Sequence, residues 1–125
     1  MCIRDRNNNH ILPGSSILGN VRIGNNNIIH PNCVIYENTT LKNNCVINSN
    51  SVIGSEGFGF IPEHGKWVKM PQKGGVKIMS FVEIGTNCCI DRPAVGFTFI
   101  DEGTKLDNLI PVSYTHLTLP TILRV

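Results

Sequence analysis

No stretch of this chain approaches the roughly 18 consecutive apolar residues that a membrane-spanning helix needs. Its opening, MCIRDRNNNH, carries charge but no apolar segment of the kind that marks a secretory leader. There is no CxxC pair, and the adjacent Cys88 and Cys89 have no histidine near them in sequence, so a zinc site is not expected. With no leader, the five cysteines read as reduced thiols rather than a disulfide framework. A basic footprint is missing as well: residues 7–110 hold eight Lys/Arg and eight Asp/Glu, and Arg4, Arg6 and Arg124 against Asp5 make up the net +2. A neutral body gives nucleic acid nothing to hold.

What the chain does have is a period of six. Ile11, Ile17, Ile23, Ile29, Ile35, Leu41, Ile47 and Ile53 recur without a slip. Three residues after each of six heads stands asparagine (Asn20, Asn26, Asn32, Asn38, Asn44 and Asn50), with Gly14 in that slot of the first unit. One residue further come Ser15, Val21, Asn27, Cys33, Thr39, Cys45 and Ser51, nearly all small. A helical turn of 3.6 residues would smear such positions around a cylinder, whereas a short strand and a tight corner repeat naturally in six. Asn and Gly adopt positive φ most readily and can turn each corner. The aliphatic head and the small residue then face inward. Three units close one triangular coil, and coils stack as parallel strands about 4.8 Å apart. The expected fold is all-β, a parallel β-helix whose stability comes from stacking. On this reading Cys33 and Cys45, 12 residues apart, lie on different sides of a coil as small core fillers.

The period breaks over 54–77, GSEGFGFIPEHGKWVKMPQKGGVK, resumes at Ile78, Ile84 and Ile90, slips through DRPAVGFTF, and restarts at Ile100 and Leu106. The 54–77 stretch reads as a loop inserted in a regular solenoid. It holds the single Trp67 and Lys66, Lys69, Lys73 and Lys77 against Glu56 and Glu63. Such loops commonly serve a ligand or subunit surface; the plainer alternative packs Phe58, Phe60 and Trp67 back on the coil. The GFGF glycines lack phosphate-loop spacing.

The series IHPNCVIYENTTLKNNCVINSNSVIGSEGFGF, GKWVKMPQKGGVKI, VEIGTNCCIDR and GTKLDNLI resembles the UDP-3-O-acylglucosamine N-acyltransferase family of lipid A (lipopolysaccharide) biosynthesis over about residues 7–110. The resemblance implies a left-handed β-helix, a homotrimer with active sites between neighbouring subunits, and no metal or other cofactor. It implies transfer of a 3-hydroxyacyl chain from acyl carrier protein to the 2-amino group of a UDP-sugar lipid precursor. It also implies a cytoplasmic protein, peripheral at the inner membrane. A histidine serves the family as general base on the amine, and imidazole titrates in the range that task needs.

Carried onto this chain, the base falls at Tyr114, and the nearby His116 is out of phase by two residues. Asp107 and Asn108 match the family's LDN motif and are the candidate catalytic residues, in a supporting role beside the base; a solvated Asp107 and a turn-forming Asn108 are the structural alternative. No residue is assigned to substrate binding. The segments 1–6 and 111–125 match nothing in the family, have the look of translated adapter sequence, and are set apart from the 7–110 repeat domain. With the base replaced and the family's uridine-binding domain not found, the expectation is a central fragment that is itself inactive. Two alternatives stay open: another hexapeptide acyltransferase acting on a different nucleotide sugar, and a non-catalytic trimeric scaffold. An ice-binding solenoid would need an outward rank of threonines, and the regular stretch offers only Thr39 and Thr40.

Overall fold

The computed structural model describes residues 8–112, 116–117 and 122–123. The first run of the repeat forms β1 (His10–Ile11), β2 (Ser16–Ile17), β3 (Arg22–Ile23), β4 (Ile28–Ile29), β5 (Val34–Ile35), β6 (Thr39–Leu41), β7 (Val46–Ile47) and β8 (Val52–Glu56). A projecting pair follows, β9 (Phe60–Glu63) and β10 (Lys66–Lys69). The repeat resumes in β11 (Gly75–Ile78), β12 (Glu83–Ile84), β13 (Cys89–Arg92), β14 (Phe97–Ile100) and β15 (Lys105–Leu106). Three short strands complete the order: β16 (Pro111–Val112), β17 (His116–Leu117) and β18 (Ile122–Leu123).

Apart from the β9–β10 hairpin, every strand pairs in parallel with strands one coil away. Sheet 1 is β1-β4-β7-β12-β15-β18, sheet 2 is β2-β5-β8-β13-β16, and sheet 3 is β3-β6-β11-β14-β17. The chain visits the three sheets in turn, which is the expected triangular coil. Registers stack the heads directly: Ile11, Ile29, Ile47, Ile84 and Leu106 in sheet 1. Sheet 2 stacks Ile17, Ile35, Ile53, Ile90 and Val112, and sheet 3 stacks Ile23, Leu41, Ile78 and Ile100. From Ile17 onward these heads are buried in one continuous core. Each contributes on the order of 1.5–3 kcal/mol by leaving water.

The corners turn as the asparagines require. Asn20, Asn26, Asn32, Asn38, Asn44 and Asn50 all have φ between 58° and 65°, and Gly14 has φ 83°. Two corners depart from this chemistry. Phe81 (φ 61°) and Leu109 (φ 62°) take the same left-handed conformation with bulky side chains that are largely exposed. The heads' neighbours still fix the coil there, so the local strain is absorbed by the ladder on either side.

The small inward residues do more than fill space. Asn27 is fully buried, yet both ends of its amide are bonded. Its Oδ1 accepts from Cys45 N at 2.8 Å, and its Nδ2 donates to Lys42 O at 2.8 Å. Cys33, Cys45 and Cys88 are buried free thiols, each donating to a backbone carbonyl. Burial pushes all three thiols up from their ordinary value, so they stay neutral donors.

Of the inserted stretch, Gly54–Glu56 lie within β8 and Gly75–Lys77 within β11, so residues 57–74 are what leaves the coil. Past Ile110 the ladder continues, with Cys89 opposite Pro111 and Ile90 opposite a buried Val112. Among the described residues no helix is long and apolar enough to cross a membrane.

Candidate active site

Six residues separate successive heads in the regular coil, but 25 separate Ile53 from Ile78 and ten separate Ile90 from Ile100. Both excesses leave the coil at the same corner, where the chain passes from sheet 2 to sheet 3. Stacked on successive coils, the two insertions bond to each other. Lys73 N donates to Ala94 O (3.1 Å), Gly74 N to Pro93 O (2.8 Å) and Gly75 N to Gly96 O (3.0 Å). Gly74 is required for this approach, because a Cβ there would fall on the carbonyls of Gly96 and Pro93.

Arg92 fastens the junction. Its Nε donates to Gln72 O at 2.7 Å and its Nη1 to Gly54 O at 3.1 Å. The Glu37 and Glu56 carboxylates each lie 3.7 Å from the guanidinium, which is nearly enclosed. Glu56 also meets Lys69 Nζ at 2.6 Å, a pair that ties β10 to β8. The hydrogen bond from Lys69, then its charge, holds the Glu56 carboxyl below the usual range. Beside Arg92, burial raises the Asp91 carboxyl, opposed by a hydrogen bond from Ser55 Oγ at 3.2 Å. Beyond this base the hairpin stands free. Phe58 is 93% exposed and Trp67 73%, so these rings do not pack back on the coil. Phe58, Phe60 and Trp67 instead line an open apolar recess of about 340 Å³, with Phe58 and Phe60 ring centroids 5.0 Å apart.

Asp107 and Asn108 sit elsewhere, at the corner from sheet 1 to sheet 2. Asn108 Oδ1 accepts from Thr86 N at 2.8 Å, and Asn108 N donates to Asp107 Oδ1 at 2.8 Å. The first of these repeats a brace used elsewhere, since Asn43 Oδ1 accepts from Asn25 N at 2.7 Å. The left-handed residue of the Asp107 corner is Leu109, not Asn108. Within one chain the structure therefore does not bring Asp107 and Asn108 to the corner that carries both insertions. Tyr114 lies outside the described residues; His116 is placed only by its backbone, in β17 opposite Phe99. Two residues past Ile90 is Arg92, and two past its sheet partner Val112 is position 114. No group of three His, Cys, Asp or Glu side chains that could hold a metal ion occurs among the described residues.

Arg92, Gln72 and Glu37 were not singled out by sequence reasoning. Counting hexads in threes would have exposed them, because both breaks in the period fall in the same third of the coil.

The family model described as bacterial transferase hexapeptide (six repeats) matches residues 6–37 and 20–55. Over 106 residues, 85% of the chain, the sequence is 81% identical to the UDP-3-O-acylglucosamine N-acyltransferase of Prochlorococcus marinus subsp. pastoris. Over most of its length the chain is therefore similar to hexapeptide-repeat N-acyltransferases. The hexapeptide repeats and the stacked parallel sheets make the coil a left-handed parallel β-helix. A relative of the same name from Prochlorococcus marinus strain MIT 9515 is 78% identical over 106 residues. In Gloeobacter violaceus, UDP-3-O-acylglucosamine N-acyltransferase 3 is 57% identical over 63 residues, half of the chain and 18% of that relative. The chain spans 31% of the length of each of the two Prochlorococcus relatives.

Proposed function

We propose that this coil is part of an enzyme of lipid A synthesis that transfers a 3-hydroxyacyl group from acyl carrier protein to the 2-amino group of UDP-3-O-acylglucosamine. The observation that carries the reading is the 81% identity across 106 residues to a protein of that name. In the reaction the amine nitrogen forms a bond to the thioester carbon, loses a proton, and expels the carrier thiol. The family's general-base histidine would take that proton, and the corner that Arg92 organises carries both insertions. The homologous substrates would place the protein in the cytoplasm, at the inner face of the membrane.

Asp107 and Asn108 occupy a different corner, so their part in the same site needs a second copy. We assign them to a site completed between subunits of a homotrimer, with Asp107 orienting the base. In this chain the base position is Tyr114. A phenol with an ordinary pKa of about 10 is a poor proton acceptor at neutral pH, and this chain is expected to be inactive by itself.

The test follows release of free carrier thiol that depends on UDP-3-O-acylglucosamine, for this chain and for the product of the complete source locus. Release by the locus product alone supports both the reaction and the base position. Turnover by this chain would remove the base assignment, and no turnover by either would leave a trimeric scaffold.

A further inference from the structure

Two apolar features of the chain lack a partner within it, and they stand at different corners. One is the hairpin recess of about 340 Å³, lined by the rings of Phe58, Phe60 and Trp67 alone. The other is Leu109, 63% exposed at the corner from sheet 1 to sheet 2. Its φ of 62° is the conformation in which Asn20, Asn26 and Asn32 turn earlier corners. A bulky residue is strained there, and packing within the chain does not repay it. Sheet 2 separates this corner from the one that carries the hairpin, and Leu109 does not line the recess of its own chain.

The two features match in height and in charge. Leu109 precedes Val112, which stacks on Ile90 and through it on Ile53 of β8. It therefore stands two coils, about 9.6 Å, along the stack from the root of the hairpin. Four paired rungs carry the hairpin about 10 Å from its foot, at roughly 3.4 Å per residue. Its return leg already bonds to the next coil through Lys73, Gly74 and Gly75. Lys66, at the hairpin tip, has no ion pair among the described residues, and neither has Asp107, two residues before Leu109. Opposite charges thus flank the recess and the side chain that suits it.

We propose that Leu109 of one copy inserts between Phe58, Phe60 and Trp67 of the next, with Asp107 set toward Lys66. The inference rests on the homotrimer read above and names the contact that joins its corners. Repeated head to tail, this contact closes a ring in which every copy supplies one Leu109 and one recess.

The full chain is tested by sedimentation across a dilution series, with the emission of Trp67, its single tryptophan, as a second reading. Trimers that dissociate on dilution are expected, with Trp67 emission moving to longer wavelength as water enters the recess. Leu109→Asn should raise the half-dissociation concentration about tenfold or more. The melting temperature of its monomer should not fall, because asparagine suits the left-handed corner. Phe58→Ser changes a ring that is exposed within one chain, and should weaken assembly to a similar degree from the other side. Phe81→Asn relieves the same strain at the corner from sheet 3 to sheet 1 and should leave assembly unchanged. A chain that stays monomeric at every concentration overturns the proposal. So does a Leu109→Asn protein that assembles like the unaltered chain, or an equal loss in Phe81→Asn. No substrate enters these measurements, so failure of the contact and failure of the acyltransferase reading are separate outcomes.

Discussion

At the scale of single residues, each slot of the hexad imposes its own chemistry, and Thr39 is the place where that chemistry is incomplete. Its Oγ1 is buried and has no hydrogen-bond partner. Thr39 faces Val76 on the next coil, so the slot already accepts a valine there. Gly54, which lies against the Thr39 hydroxyl, has a positive φ of 85°. Thr39→Val keeps the branched shape and removes an orphaned polar atom. It is expected to stabilise the chain by about 1 kcal/mol, read as a higher denaturation midpoint at unchanged slope. A lower midpoint would mean that the hydroxyl is satisfied after all. Asn27 gives the opposite case: the same depth of burial is tolerated because both ends of its amide are bonded.

At the scale of elements, the hairpin β9–β10 is held to the coil mainly at its foot. Its own strands pair antiparallel from Phe60–Lys69 to Glu63–Lys66 and contribute no buried side chain. Arg92 reaches from β13 to both legs of the insertion, and the amides of Lys73, Gly74 and Gly75 close the seam. Replacing Arg92 by Leu leaves two carbonyls without their donor and Glu37 without its cation, while Glu56 keeps Lys69. Hydrogen exchange at the Lys73–Gly75 amides is expected to accelerate by about tenfold, while Leu18 and Ile28, on distant rungs, keep their protection. Equal acceleration at both places would show that Arg92 supports the whole coil rather than the insertion.

At the scale of the whole molecule, stability is a sum over neighbouring coils, so position along the stack matters as much as burial. Ile47 lies between Ile29 and Ile84 and is fully enclosed, whereas Ile17 has a described partner on one side only, Ile35. Ile47→Ala should therefore cost about 2–5 kcal/mol, and Ile17→Ala clearly less. Equal losses in chemical denaturation would contradict a stack governed by nearest neighbours. The same geometry explains why a site can be split. Residues close in sequence, such as Asp107 and Arg92, are sent to different corners of the triangle.

The regular coil was legible because its constraints are local. An aliphatic head every six residues, an asparagine able to take positive φ, and a small inward residue each act within one hexad, so the sequence by itself determined the β-helix, its corners at Asn20 to Asn50, and the burial of Cys33 and Cys45. The LDN motif was legible too, as residues, but not as a place. What only the tertiary structure decided is which hexads share a corner. Two insertions separated by 12 residues of coil, Ile78 to Ile90, meet because three hexads make one turn. That winding brings Gln72 to Arg92 and Arg22 within two rungs of Lys77, while it sets Asp107 and Asn108 a corner away. These distances depend on the coil closing, and closure is a property of the stack rather than of any six residues.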